Sequence, residues 1–215
     1  MPESITRKCH TCDKYIDLEK ESFIFDKKVY YHTECLFEYL TNKKRNPLDE
    51  QQAKEYINNL SSMSKEKGKF IVNRQKFYKW IQHKYELVTL PTYFYQKSEE
   101  IFNGTWKDII RKIPPEDLWD MWYRKWDFLE KTYIYNKSHG KTMDQVGRLN
   151  YDFAIIINKS SSYYEWKKSV EADNISRKQV MAEESNSKVS YNRLNVTKKS
   201  NNKSGIDIAE TLEEI

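Results

Sequence analysis

The chain has 215 residues, 32% of them charged and 38% hydrophobic, with a formal net charge of +5, which bounds it to one or two domains and hints at a polyanionic partner. Five glycines and five prolines argue against an all-β protein built on many tight turns, and no apolar run is long enough for a membrane span or a standard secretion signal, so a cytoplasmic protein without membrane contact is expected. The apolar residues are unusually aromatic (16 Tyr, 9 Phe and 6 Trp), which lets a modest chain bury a core.

The three cysteines all fall near the N-terminus, in the pattern Cys9-x2-Cys12, nineteen residues, then His32-x2-Cys35. None is left for a disulfide, as expected in a reducing compartment. Three thiolates and an imidazole are a common ligand set for one tetrahedral structural Zn2+, and two intervening residues let a tight knuckle aim both side chains at one metal. Neighbouring His10 competes for a place but is expected to face solvent. Within the spacer, Phe23-Ile24-Phe25 and Val29-Tyr30-Tyr31 read as two strands around Asp26-Lys27-Lys28. His32 to Leu40 then reads as a helix, with His32 and Cys35 on one face of its first turn.

Knuckle, hairpin and ligand-bearing helix follow each other in the order of a treble-clef zinc finger. The segment also resembles the first zinc-binding half of a LIM domain, through Cys9-His-Thr-Cys12, Ile16 and Tyr31-His32-Thr-Glu-Cys35. The resemblance covers about thirty residues, and no second set of four ligands follows Cys35. It implies a structural metal and a protein- or nucleic-acid-binding surface, not catalysis.

Asn46-Pro47 breaks the chain and ends the zinc module at residue 46. Leu48 to Met63 reads as a polar helix, and Ser61 to Lys69 as a solvated linker with Gly68 as a stop. Asn73 is expected to cap a new helix carrying Phe77, Trp80, Ile81 and Tyr85. After a three-residue turn at Val88-Thr89-Leu90, Pro91 opens a further helix that Asn103-Gly104 closes.

Residues 65–84 hold seven Lys or Arg and one acid, a net +6, with aromatics interleaved. The helix–turn–helix outline makes the second helix the groove-facing one. Thr92, Tyr93, Gln96 and Lys97 are then its exposed polar positions, and Lys76, Lys79 and Lys84 its phosphate contacts. The alternative is a solvated basic face on a packed helical bundle.

Pro114-Pro115 starts another helix, where Leu118, Met121, Trp122, Trp126 and Leu129 recur at helical spacing. Trp119, Trp122 and Trp126 are expected to pack as core rather than to stack bases, and Glu116, Asp117 and Asp120 to favour the helix N-terminus. Ser138-His139-Gly140 ends this helix. A fourth runs from about Thr142 with Leu149, Phe153, Ile156 and Ile157 on one face, and Tyr163, Trp166 and Val170 mark a last amphipathic stretch. From Asp173 the pattern stops and disorder is the expectation. Residues 174–203 are basic, while 204–215 carry four acids and no base.

These readings give a mainly α protein: a treble-clef zinc module (1–46), a helical domain with a helix-turn-helix-like unit (47–172) and a flexible tail (173–215). Phosphate loops, nucleophile elbows and metalloprotease motifs are absent, so no enzyme and no small-molecule substrate is indicated. The expected function is a zinc-containing accessory or regulatory protein that binds nucleic acid, DNA in the first instance. The alternative is an adaptor or inhibitor acting on a host protein through the zinc module or the acidic C-terminus. In compositional style the chain is similar to small phage-encoded proteins of AT-rich bacteria.

Overall fold

The computed structural model describes residues 4–200 except 108 and 110, with side chains described as far as 182. The chain divides into two compact units, Met1–Ser160 and Ser161–Ile215. The first unit begins with two antiparallel hairpins, β1 (Thr6–Lys8) with β2 (Tyr15–Asp17), and β3 (Phe23–Asp26) with β4 (Val29–His32). Lys27 and Lys28, both at positive φ, form the two-residue turn of the second hairpin, and helix α1 (Thr33–Asn42) follows at once. The fold of this segment is the expected order of knuckle, hairpin and helix.

The next element departs from expectation. Helix α2 runs unbroken from Glu50 to Lys84, so neither the linker at 61–69 nor the Asn73 cap exists. Its true start is a capping box: the Asp49 side chain accepts from Gln52 N at 2.8 Å while Gln52 Oε1 accepts from Asp49 N. The small residues that look like a linker serve packing. Ser64 is buried against the hairpin, where its hydroxyl accepts from Phe25 N at 2.9 Å and donates to Leu60 O at 2.7 Å. Gly68 is buried as well, with the Phe23 ring so close that a β-carbon would lie 2.5 Å from its tip.

Further along, α2 changes the side that it buries. Ala53, Ile57, Ser64, Gly68, Ile71 and Val72 are buried in its first two thirds, and Ile71 and Val72 join a core with Ile5, Cys9, Ile16, Leu18 and Phe23. Phe77 and Ile81 lie round the helix from these and pack into the helical core. That core gathers Phe94, Trp122 and Phe153 around Phe77, with ring centroids 5.2–6.2 Å apart. Helix α2 is thus one spine shared by the hairpins and the helical bundle.

Helix α3 (Thr92–Asn103) follows a seven-residue connection, Tyr85–Pro91, rather than a three-residue turn, because α2 already ends at Lys84. Pro91 caps its start and Gly104, at φ 76°, its end, as the sequence indicates. Helix α4 (Pro115–Ser138) has Pro at its first turn and buries Leu118, Met121, Trp122 and Leu129. Helix α5 (Gln145–Asn158) starts three residues later than expected, where the Asp144 side chain accepts from Gly147 N at 2.7 Å.

In the second unit, α6 (Ser160–Ser200) is a single helix. The apolar pattern ends where expected, since residues 171–182 are all exposed, but the backbone stays helical through the start of the expected tail. The acidic segment at 206–215 lies outside the described residues. Among the described residues, no helix is long and apolar enough to cross a membrane.

Candidate metal centre

Cys9 follows β1 directly, bridged to Tyr30, and Cys12 sits on the turn that leads towards β2. The turn is fastened by Cys9 N donating to Lys14 O and by His10 N donating to Tyr30 O on β4, each at 2.8 Å. The second bond explains why the knuckle docks beside His32, two residues further along β4. His32 ends the strand and is the N-cap of α1, and Cys35 is the third residue of that helix. The four ligand atoms all lie within 4.8 Å of one another, with Cys9 buried and the other three residues half-buried.

The ring of His32 turns Nδ1 towards the thiols, 3.4 Å from Cys12 Sγ and 3.7 Å from Cys35 Sγ. Metal–sulfur bonds of about 2.3 Å and a metal–nitrogen bond of about 2.0 Å give tetrahedral S···N edges of about 3.5 Å. The four side chains can therefore hold one metal ion, as the spacing of the sequence indicates. His10 is exposed and stays out of the cluster, its ring edge-on to Tyr31.

The electrostatics of the cluster also favour a cation. Burial pushes the Cys9 thiol up, but backbone N–H groups of Cys12, His32 and Thr11 and the His32 ring outweigh it and bring the thiol down to about 6. Cys35 moves the other way: burial and the neighbouring sulfurs of Cys12 and Cys9 push it up to about 12. Deprotonation of Cys35 thus meets resistance from burial and the adjacent sulfurs. A divalent ion among the sulfurs reverses that resistance, because it stabilises every thiolate that it touches.

One neighbour escapes sequence reasoning. Glu21 Oε2 lies 3.5 Å from His32 Nε2, on the side of the ring away from the sulfurs. A lone glutamate in a polar loop carries no spacing signal, and only the register of β3 on β4 brings it there.

The residues expected to meet nucleic acid do not form one free cationic patch. Lys76 pairs with Glu19 of the hairpin segment. Lys84 lies over two indole rings, 5.0 Å from the Trp126 centroid and 5.8 Å from that of Trp80. Lys97 sits over Tyr93 at 4.1 Å and over Trp106 at 4.7 Å. Lys79, Thr92, Tyr93 and Gln96 are exposed. Lys79 also lines a groove of about 380 Å³ between α2 and α3 with Arg74, Gln75, Tyr78, Gln82, Tyr95 and the carboxylate of Glu99.

A second polar feature, deep in the bundle, is also illegible in the sequence. Asp152, 1% exposed, accepts from Tyr85 Oη at 2.7 Å, and Tyr85 Oη accepts from Trp122 Nε1 at 3.1 Å. Arg148 Nε is 3.5 Å from Asp152, and its other end bonds Glu130 at 2.5 Å. These groups are closed in by Tyr133 and Trp126, whose rings face the guanidinium at 4.2 and 5.4 Å. The arrangement fixes the packing of α2, α4 and α5.

No family model, curated protein sequence or solved structure matches the chain.

Proposed function

We propose that this is a non-enzymatic, zinc-containing nucleic-acid-binding accessory or regulatory protein. In this reading Cys9, Cys12, His32 and Cys35 hold one structural Zn2+ in a treble-clef module. Three thiolates and one imidazole suit zinc, and four protein ligands leave no open position for catalysis. When bound, the ion supplies cross-linking and charge neutralisation. The chain's own residues do the rest: the knuckle turn presents Cys9 and Cys12, and the end of β4 and the first turn of α1 present His32 and Cys35.

The observation that carries the nucleic-acid reading is the solvent side of α2. Lys65, Lys69, Lys76, Lys79 and His83 are all exposed and follow one another at intervals of four, seven, three and four residues, which is one face of a helix. The charge is moderated, since Lys69 pairs with Glu116 and Lys76 with Glu19. Lys65 and Lys79 are candidates for phosphate contact because both are exposed on this face. The adjoining α2–α3 groove adds two tyrosines and two glutamines, side chains suited to unstacked bases, beside an Arg74–Glu99 ion pair that leaves it little net charge of its own.

Metal analysis and a gel shift on mixed DNA and RNA probes at two salt concentrations test the proposal. Retention that weakens steeply with salt, and further in the Lys65→Glu/Lys79→Glu variant, is the expected result. Absence of retention at low salt overturns it.

A second reading, an adaptor for another protein, is favoured by a different feature. Between α1 and α2 lies a groove of about 660 Å³ lined by Phe37 and Ile57, with Glu34, Glu38 and Lys54 also along it. Binding to a protein partner that is lost in the Phe37→Ala variant, with no nucleic-acid retention, supports this reading instead.

A further inference from the structure

We propose that Glu21 is the positioning residue that commits His32 to metal binding through Nδ1. The inference rests on the reading of the four-residue cluster as a metal centre. A neutral imidazole has one protonated nitrogen and one bare nitrogen, and only the bare one can bind a metal. In this chain the choice is made by what lies on each side of the ring.

On the Nδ1 side are the sulfurs of Cys12 and Cys35 at 3.4 and 3.7 Å. On the Nε2 side is the Glu21 carboxylate at 3.5 Å. A carboxylate accepts and cannot donate, so it favours the proton on Nε2 and leaves Nδ1 bare, facing the sulfurs. Glu21 points at the nitrogen remote from the cluster and therefore acts through His32 rather than as a fifth ligand.

The backbone holds the pair in register. Phe23 is paired with His32 across β3 and β4, which sets Glu21 and Ser22 beside His32 and Thr33. The Ser22 and Thr33 hydroxyls are 3.0 Å apart and tie the same two segments together. On the far side, Glu21 N donates to Asp17 O at 2.9 Å, so the loop carrying the carboxylate is anchored at its base. The carboxylate is about half exposed (46%), which places its effect at the low end of what such outer partners contribute.

The test uses the full chain with zinc. Zinc affinity is measured by competition with a chelator for wild type, Glu21→Ala and Glu21→Gln, and nitrogen NMR of the His32 ring reports which atom bears metal and which bears hydrogen. The expected wild-type state is metal on Nδ1 and hydrogen on Nε2. Glu21→Ala should lower zinc affinity by about tenfold, and Glu21→Gln, which keeps an acceptor oxygen, should restore most of it. The ring signature separates an orienting role from a merely structural one, because loss of loop packing does not choose between nitrogens. Zinc bound through Nε2, or a Glu21→Ala affinity within about twofold of wild type, overturns the inference while leaving the metal centre standing. A wild-type protein that takes up no zinc removes both.

Discussion

The tip of the Phe23 ring rests on the backbone of α2 at Gly68, closer than any side chain at that position permits. Phe23 in turn packs with Cys9, Ile16 and Ile71, so one glycine sets the distance between a 35-residue helix and the hairpins that carry the Cys/His cluster. Gly68→Ala should raise helix propensity by about 1 kcal/mol yet lower net stability. The ring cannot retreat without disturbing a packed core, and overpacking of this kind costs about 1–3 kcal/mol. Denaturant unfolding of the zinc-loaded protein checks the sign, and a stabilised variant would show that the ring moves aside freely.

The metal cluster makes a second prediction. Cys12→Ser or Cys35→Ser should abolish stoichiometric zinc, and a chelator should do the same to wild type. The ion would cross-link the knuckle turn to the start of α1, so the first forty residues should lose their order with it. Metal analysis with amide exchange over residues 4–42 measures this. A metal-free module that keeps wild-type protection is the contrary outcome.

Asp152 yields a pH dependence. Burial raises its carboxyl from the ordinary aspartate value, against the Tyr85 hydrogen bond and the nearby Arg148, which pull it down. The folded protein thus binds this proton more tightly than the unfolded chain does. Its contribution to stability is full below about pH 4 and is lost as pH rises through the raised folded value. Asp152→Asn should remove that decline, so the stability difference between variant and wild type should shift in the variant's favour as pH rises above about 4. Parallel unfolding curves across this range test the slope, and a constant difference would contradict it.

Cations on α2 should sort into two kinds. Lys84 lies on the Trp80 and Trp126 rings, so Lys84→Glu should cost about 1 kcal/mol of stability through lost cation–π contact and reversed charge. Lys65 is exposed, and Lys65→Glu should change stability by less than about 0.5 kcal/mol. Thermal melts of the two variants make the comparison, and equal effects would mean that the rings do not hold Lys84.

The sequence was informative where local chemistry decides structure. The cysteine spacing and the Phe23–Tyr31 alternation place the ligands and the hairpin, and Pro91, Gly104 and Pro115 mark the ends of helices. It misled where small residues serve a partner distant in the chain. Ser64 and Gly68 read as linker because their reason for being small is Phe25 and Phe23, about forty residues earlier. Tyr85, Arg148 and Asp152 likewise carry no motif, since three helices must assemble before they meet. Glu21 is legible only once the β3–β4 register is known.

The change of buried side along α2 has a consequence for how the protein comes apart. Ile71 and Val72 belong to the hairpin core, and Phe77, only five residues on, belongs to the aromatic core of the bundle. The two layers share one stretch of helix, so loss of order in the hairpin core should also loosen the bundle's layer next to it. Occupancy of a small N-terminal site would then be felt as slower amide exchange in helices that never touch the ion.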